Sequence, residues 1–339
     1  MNQQMKALCV APNNSVELQT VPRPEQPVEG HLLIKVIACG VNPGDHAFIA
    51  GIFPKGSIPT SNYDIAGVSG VGIVEQIGSG VPSSYTGRKV AFYRSLKFSD
   101  QILGAWCETA RMLPQHCVLL PNNTDPAAYA GSLVNIITPY AFLQLAISEG
   151  HKGILATAGN SATGLAMLGV CLAYNFPLLS IARNEEAAKE LTTLGAKNIL
   201  IQTAGDFKQQ LAAQAQQLDT TAIFDGIGGA FLNATADAFP QRTTIYSYGY
   251  LGGNEPLTLP LGLLMRRQLT IKSFGNFTSP TVRDTSSLEK ALAEIGRFIH
   301  QPHFKTKIGR QFSFEQYKEA LTYSDPKGGK AVLIPSFLS

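Results

Sequence analysis

The sequence has little of what several large classes of protein need. Only five of its 339 residues are cysteine, and they are scattered and odd in number, which argues against a disulfide scaffold. Charged residues make up 15%, the net charge is +3 and no basic run occurs, so we expect no nucleic acid as partner. No apolar run approaches the ~20 residues of a membrane span. We therefore expect a globular protein of the cytoplasm that binds no membrane.

Metal ligands are also sparse. A catalytic zinc ion needs about three protein ligands from Cys, His, Asp or Glu, with one open position. The chain has six histidines, and those considered as ligands have no partner at metal-binding spacing: His46, His116, His151, His300 and His303. We therefore expect these side chains to be exposed or hydrogen-bonded, and we expect no metal site.

The most informative segment present is ILATAGNSATGL, residues 154–165. A short apolar run enters a turn of small residues, and a helical pattern follows. Backbone N–H groups at such a helix start can approach a pyrophosphate. The turn lacks a full G-x-G-x-x-G, so a plain strand-to-helix connection stays an alternative. The residues predicted to bind the cofactor here are Ala158, Gly159, Asn160, Ser161, Ala162, Thr163 and Gly164.

Further apolar strands follow this turn and alternate with helical patterns. The first helix of the series has Asn184 as N-cap and Gly195 as its stop. Strands that alternate with helices predict a parallel sheet, which binds ligands at the carboxyl ends of its strands. Dinucleotide binding at the 158–164 turn is therefore the favoured interpretation. The predicted strands are Pro177–Ala182, Asn198–Ile201, Ala222–Gly229, Thr243–Leu251 and Leu269–Phe277.

The two ends of the chain differ from this middle part. Residues 6–120 form short alternating segments broken by proline and glycine, which predicts a β-rich domain. A helix near 286–301 precedes a final strand near 331–334, and we expect this tail to pack on the first domain. The length suggests about two domains.

Several segments together resemble the medium-chain dehydrogenase/reductase superfamily over nearly the whole chain. Within it, the sequence is similar to the zinc-free quinone oxidoreductases and the 2-enoyl thioester reductases. Each segment is weak alone, but their order is specific. In chain order they are Met5–Leu8 (MKAL), Gly40–Asp45 (GVNPGD), Gly72–Gly78 (GIVEQIG) with Gly87–Val90 (GRKV), Gly104–Glu108 (GAWCE), Asn135–Tyr140 (NIITPY) and Gly329–Leu333 (GKAVL).

The resemblance implies an α/β protein with a GroES-like β-barrel catalytic domain and a Rossmann domain with a doubly wound parallel sheet. We expect the GroES-like domain at residues 1–123 and 279–339 and the Rossmann domain at 124–278. It also implies a zinc-independent enzyme, because Asn42, Val68 and Ser69 stand where zinc-dependent relatives have a cysteine and a His-Glu pair. The oxyanion that forms must then be stabilised by hydrogen bonds.

Cofactor choice depends on the end of the second strand of the alternating region. NAD enzymes place an acidic residue there, but this chain has none, and Arg183 follows the strand. The enoyl reductases have an arginine at the corresponding place, and a guanidinium suits a 2′-phosphate. Ser180 is a weaker candidate. We therefore predict that the cofactor is NADPH and that Arg183 binds its 2′-phosphate. The alternative is that Arg183 is only a solvated residue at the end of a strand.

The resemblance also suggests residues for the chemistry. Asn42 stands where the family places a residue beside nicotinamide and substrate, although it could simply cap its turn. Thr138 matches a helix start that lines the family's substrate site. Asp225 is more typical of a turn organiser than of a base. Further cofactor contacts are implied at Gly228, Tyr248, Gly249, Phe274, Gly275, Asn276 and Lys330.

One departure concerns the proton donor. Enoyl thioester reductases have a tyrosine at the position that aligns with Phe53, and phenylalanine has no proton to give. A second tyrosine of the quinone oxidoreductases is replaced at His46. His46 and Tyr63 are therefore the nearby candidates to replace the donor. Quinone reduction depends less on this loss, since a reduced quinone can take its proton from water.

The sequence thus predicts an NADPH-dependent, zinc-free reductase of quinones or α,β-unsaturated carbonyl compounds, assembled as a homodimer. One alternative is a 2-enoyl thioester reductase with a different proton donor. Another is an NADPH-binding structural or regulatory protein with little catalysis.

Overall fold

The structure is a computed structural model and describes residues 3–52 and 59–336. Its strands are β1 Gln4–Val10, β2 Val16–Pro22, β3 Leu32–Gly40, β4 Ser69–Ile77, β5 Lys89–Tyr93, β6 Thr109–Met112, β7 Cys117–Leu119, β8 Ile154–Ala156, β9 Leu178–Ala182, β10 Asn198–Ile201, β11 Ala222–Asp225, β12 Thr244–Ser247, β13 Thr270–Ser273, β14 Ile308–Ser313 and β15 Lys330–Ile334. Its helices are α1 Pro43–Ile49, α2 Ser132–Ser148, α3 Ala162–Ala173, α4 Glu185–Thr193, α5 Phe207–Gln217, α6 Gly229–Thr235, α7 Leu261–Arg267, α8 Pro280–Arg283, α9 Thr285–Phe298 and α10 Tyr317–Thr322.

The chain divides into two compact units. Unit 1 comprises residues 1–137 and 282–339, and unit 2 comprises residues 138–281. The boundaries predicted from sequence were 123/124 and 278/279. The later boundary differs by three residues, whereas the first falls inside α2 rather than before it. No break in composition marks a division inside a helix, so the sequence could not have located it.

Unit 2 contains a six-stranded sheet in the order β10-β9-β8-β11-β12-β13. Every neighbouring pair in it is parallel. The order reverses between β8 and β11, and a parallel sheet binds ligands at such a switch point. The predicted Rossmann sheet is therefore confirmed. The predicted strands at 222–229, 243–251 and 269–277 were too long, because the ladder ends at Asp225, Ser247 and Ser273. The residues beyond these points lie in loops, at the start of α6 or in a short helical turn.

Helix α4 shows how local sequence sets these elements. The Asn184 side chain accepts a hydrogen bond from the Ala187 N–H at 3.0 Å, as an N-cap does. Glu185 and Glu186 occupy the first turn, where negative charge is favoured. Gly195 follows the helix with φ of +92°, which suits glycine. The predicted start and stop of this helix are both confirmed.

Unit 1 contains a seven-stranded sheet and a separate β1-β2 pair. The path through the larger sheet is β14-β15-β3-β4-β5-β7, and β6 also pairs with β3. Strand β15 lies between β14 and β3, so the prediction that the tail packs on the first domain is confirmed. The fully buried Trp106 is in the core, and Gly67 lies so close to it that a Cβ would stand 2.2 Å from the ring.

One apolar helical stretch was overlooked in the sequence. Within the described ranges, Pro126–Ser148 is long and apolar enough to cross a membrane, and 67% of its most apolar window is buried inside the protein. The core helix of a soluble protein has the same length and composition. By itself this stretch is weak evidence for a membrane span.

Candidate active site

The glycine turn lies at the carboxyl end of β8, at the switch point of the unit 2 sheet. Ser161 is the N-cap of α3, and its hydroxyl accepts from the Gly164 N–H at 3.0 Å and donates to the Ala158 carbonyl at 2.8 Å. Gly164 packs against the turn so closely that a Cβ would stand 2.1 Å from the Ala158 oxygen. The turn therefore requires glycine at this position.

Not all the predicted phosphate-binding residues offer their N–H groups. The Gly159 N–H donates to Ile181 at 3.1 Å and the Ser161 N–H to Ala158 at 3.0 Å. Near the start of α3, the N–H groups of Asn160 and Ala162 have no partner in the part of the chain that the structure describes. Asn160 precedes the N-cap Ser161 and Ala162 is the first residue of α3, so both lie at a helix start, where an anion is favoured.

Asp225 connects three strand ends beneath this turn. One carboxylate oxygen accepts from the Thr157 hydroxyl at 2.8 Å and from the N–H groups of Ile227 and Gly228 at 3.2 and 3.4 Å. The other accepts from the Ser247 hydroxyl at 3.3 Å. Burial raises the pKa of this carboxyl, and the hydrogen bonds oppose the rise. The geometry agrees with a turn organiser.

Tyr248 takes a role that the sequence did not show. Its ring stacks on Phe224 at a centroid distance of 4.0 Å, and its side chain hydrogen-bonds to that of Ser161. Because the Ser161 proton is directed to Ala158, the tyrosine hydroxyl donates. Burial raises the pKa of Tyr248, so the hydroxyl stays protonated. The end of β12 is thereby joined to the glycine turn.

The residues after β13 are joined to α2. Asn276 is buried, and its amide Nδ2 donates to the Thr138 hydroxyl at 2.7 Å. Phe274 is also buried and packs edge-on against Phe142 of α2 at 5.3 Å. Of the remaining predicted cofactor residues, Gly228 has φ of +99° at the start of α6, and Gly249 and Gly275 lie in the loops after β12 and β13. All these residues lie on the carboxyl-end side of the sheet.

The candidates for cofactor selection differ in exposure. Arg183 follows β9 directly and is exposed. Ser180 is fully buried under Gly159, and its hydroxyl has no partner in the described part of the chain. Asn160 is partly used elsewhere, since its Nδ2 donates to Ala187 and Glu190 at 2.8 and 3.1 Å. Arg183 is therefore the candidate best placed to meet a ligand.

Unit 1 holds a buried polar cluster around Asn42, which is only 4% exposed. The Asn42 Nδ2 donates to Ser69 at 3.1 Å and Asp45 at 3.3 Å. The Asn42 Oδ1 accepts from Lys330 at 2.6 Å and Asn135 at 3.3 Å. All four capacities of the amide are thus filled by protein groups. Asn42 therefore holds the Lys330 ammonium, and its contact with a ligand stays a prediction.

Lys330 is the cation of this cluster. Burial lowers the pKa of its ammonium to about 8, and the negative charge of Asp45 opposes the shift. The ammonium has three N–H donors, of which one is directed to Asn42. A cation held in this way can stabilise negative charge on a carbonyl oxygen.

The predicted proton donors are not brought into this cluster. Tyr63 is 50% exposed, has φ of 59° and lies in a short helical turn before β4. His46 is exposed on α1. Phe53 lies outside the described residues. None of the hydrogen bonds described for Asn42 and Lys330 involves Tyr63 or His46.

Metal ligands do not converge in the described ranges 3–52 and 59–336, where no group of three His, Cys, Asp or Glu side chains could hold an ion. His116 is fully buried, and its Nε2 lies 2.9 Å from the Lys97 carbonyl. His151 contacts the hydroxyls of Thr221 and Tyr246 at 2.9 and 3.1 Å. The hydrogen-bonding predicted for these two histidines is present.

Comparison with known proteins identifies a domain in this chain and several relatives of it. Residues 28–131 match the alcohol dehydrogenase GroES-like domain. The mitochondrial enoyl-[acyl-carrier-protein] reductase of Caenorhabditis elegans is 27% identical over 272 residues, which cover 78% of this chain and 74% of that protein. The quinone oxidoreductase of Lama guanicoe is 25% identical over 323 residues, covering 93% of this chain and 91% of that protein.

A solved structure agrees at the level of the fold. Escherichia coli quinone oxidoreductase complexed with NADPH superposes with a TM-score of 0.69 at 18% identity, covering 98% of this chain and 99% of that one. The order of segments in the sequence, the GroES-like match and the parallel sheet of unit 2 all agree with this likeness. Residues 28–131 therefore form an alcohol dehydrogenase GroES-like domain, and the chain as a whole is similar to proteins named quinone oxidoreductases and enoyl reductases.

Proposed function

We propose that this chain is an NADPH-dependent, zinc-free reductase that transfers hydride to quinones or α,β-unsaturated carbonyl compounds in the cytoplasm. The observation that carries the proposal is the glycine turn at the switch point of unit 2, whose N–H groups at Asn160 and Ala162 remain available. All five cysteines are free and buried, which supports a reducing compartment.

The residues of unit 2 fit a dinucleotide. Gly164 permits the close turn, and Asp225 and Tyr248 hold the surrounding strand ends in place. Arg183 is exposed after β9, where its guanidinium can bind a 2′-phosphate. Bound NADPH supplies the hydride. The protein contributes binding through the turn and selection of the phosphorylated cofactor through Arg183.

The residues of unit 1 suit stabilisation of the substrate. Hydride addition to an enone or quinone leaves negative charge on a carbonyl oxygen. The Lys330 ammonium, held by Asn42, can donate a hydrogen bond to such an oxygen. Its pKa of about 8 also lets it hold or release a proton near neutral pH.

Two alternatives have different consequences. A 2-enoyl thioester reductase is supported by the nematode relative, although Phe53 lacks the hydroxyl of that class. An NADPH-binding regulatory protein would bind cofactor without turnover. Steady-state oxidation of NADPH with quinones, 2-alkenals and enoyl thioesters separates the three. We expect turnover with quinones or alkenals, and NADPH binding without any turnover would contradict the proposal.

The first expected result concerns Arg183. Arg183→Ala should weaken NADPH binding by roughly 1–3 kcal/mol, the range for a lost charge-assisted hydrogen bond, and leave NADH binding little changed. Dissociation constants for both nucleotides can be measured by fluorescence titration. Lys189→Ala removes an exposed charge on the following helix and serves as the matched control. Equal losses for both nucleotides would show that Arg183 acts structurally.

The second concerns metal. Elemental analysis of protein purified without added metal should find no stoichiometric zinc, and a chelator should leave turnover intact. The reason is that Asn42, Val68 and Ser69 cannot form the zinc site of zinc-dependent relatives. One equivalent of zinc per chain would contradict this expectation.

The third concerns assembly. Strand β13 is the outer strand of the unit 2 sheet, and all four of its residues are exposed. Ile271 is 41% exposed, and Leu261 and Met265 of α7 are each 69% exposed. A bare apolar edge strand invites pairing with another chain. We expect a homodimer by light scattering at micromolar concentration and a monomer for Ile271→Lys, with Lys189→Ala as control. A monomeric wild-type protein would contradict this.

A further inference from the structure

Arg94 follows β5 and is completely buried in unit 1. Its Nε, Nη1 and Nη2 atoms have no hydrogen-bond partner in the described part of the chain. Its backbone N–H donates to Val68 at 2.9 Å, so the main chain is fixed while the guanidinium is not hydrogen-bonded. A buried charge of this kind is costly unless it is paired.

The surroundings offset only part of that cost. The guanidinium carbon lies 4.5 Å from the centroid of the Phe48 ring, a cation–π contact. Burial lowers the pKa of Arg94 to about 10, and the charge of Asp45 opposes the shift. The side chain therefore stays cationic at neutral pH.

Asp45 does not neutralise Arg94 as an ion-pair partner. Its carboxylate accepts from the Asn42 N–H at 2.7 Å and the Val68 N–H at 2.9 Å, and its oxygens are thereby committed to the backbone. Lys330 is a second, partly buried cation that acts on the same carboxylate. Among the described residues, both cations thus act on the single carboxylate of Asp45, and the donors of the Arg94 guanidinium remain unused.

We propose that Arg94 binds a carboxylate group of the substrate, so that the preferred substrates are quinones or α,β-unsaturated carbonyl compounds that carry a carboxylate. A planar guanidinium with unused donors matches the two oxygens of a carboxylate. One carboxylate would also supply the negative partner that the guanidinium lacks. This inference rests on the proposed reductase function.

Entry to Arg94 is through Phe48. The ring of Phe48 lies over the guanidinium and is itself only half-buried, and the proposal requires that this ring moves aside when the carboxylate binds. The carboxylate replaces the aromatic face as partner of Arg94. The reacting carbonyl of the same substrate is left for Lys330.

The kinetic test uses trans-4-oxo-2-pentenoate and its neutral methyl ester. NADPH gives a hydride to one carbon of the C=C bond and solvent a proton to the other, which yields 4-oxopentanoate or its ester and NADP⁺. We expect kcat/KM for the acid to exceed that for the ester about 10- to 100-fold. Arg94→Met should abolish this preference without slowing ester reduction, and Arg94→Lys should retain a part of it.

The binding test does not depend on turnover. Millimolar 4-oxopentanoate should raise the melting temperature of the wild-type protein but not that of Arg94→Met. Without ligand, Arg94→Met should melt at the same or a higher temperature, because it removes an unpartnered buried charge. The control Arg111→Met should melt lower, since the Arg111 Nε donates to the Gln101 carbonyl at 2.6 Å.

The outcomes separate the two proposals. Reduction of the ester without preference for the acid, or a lower melting temperature for Arg94→Met, would overturn the inference and leave the reductase proposal standing. Reduction of neither compound nor of any quinone would overturn the reductase proposal. In that case, binding of 4-oxopentanoate through Arg94 would still support a carboxylate site at Arg94. If 4-oxopentanoate did not bind, the carboxylate site would be overturned together with the reductase proposal.

Discussion

Gly164→Ala should reduce NADPH affinity by about 100-fold or more. The added Cβ would stand 2.1 Å from the Ala158 oxygen and 2.6 Å from the Gly159 oxygen, distances that no packed atoms tolerate. The turn must then move away from the start of α3. The N–H groups of Asn160 and Ala162 would no longer point at the phosphate. Two hydrogen bonds to a charged phosphate, at about 1.5–3 kcal/mol each, account for this loss.

The control for this variant is Gly205→Ala. A Cβ at Gly205 would meet nothing within 4 Å, so affinity should remain at the wild-type value. Overpacking at Gly164 also destabilises, by roughly 1–3 kcal/mol, and thermal unfolding should therefore be recorded for both variants. Folded Gly164→Ala protein that binds NADPH as tightly as wild type would show that the turn does not hold the cofactor.

Phe53→Tyr should raise the turnover of enones or enoyl thioesters and change quinone turnover by less than about tenfold. A hydroxyl at the aligned position would place a proton donor near the developing enolate, and general acid catalysis contributes about 10²–10⁴ in rate. A reduced quinone takes its proton from water and gains little. Initial rates at saturating NADPH measure both effects.

Phe98→Tyr gives the matched control, because Phe98 is a 63% exposed aromatic residue of unit 1 and a hydroxyl there should change neither rate. Wild-type protein that already reduces enoyl thioesters faster than quinones would contradict the expectation. So would a Phe53→Tyr variant that binds NADPH but has an unchanged enone rate. The second result would mean that Phe53 is not the aligned position.

The fold was largely predictable because its signals are local. The small residues of the 154–165 turn, the Asn184 cap and the Gly195 stop each fix their own backbone, and the structure has them as predicted. Strand lengths after Asp225 and Ser247 were overestimated, since apolar residues continue past the point where hydrogen bonding between strands ends. An apolar residue predicts burial, but it does not show whether that residue lies in a strand or in a buried loop.

The site was less predictable because its partners are distant in sequence. Asn42 and Lys330 are separated by 288 positions, and no spacing rule joins them. Tyr248 is assigned by the resemblance to the cofactor through its backbone, while its hydroxyl contacts Ser161. Arg94 reads as an ordinary charged residue after a strand, and only the structure shows that it is buried without a hydrogen-bond partner.

The position of β15 has a consequence for how the chain folds. This strand pairs with β3, so the sheet of unit 1 cannot be completed until all of unit 2 has been synthesised. Unit 2 is continuous and can fold first, and its folding shortens the loop that β15 must close. Until then, the Cys39–Gly40 end of β3 lacks its β15 partner on the ribosome-bound chain. We expect proteolysis of nascent chains ending before residue 330 to spare unit 2 and to cleave unit 1.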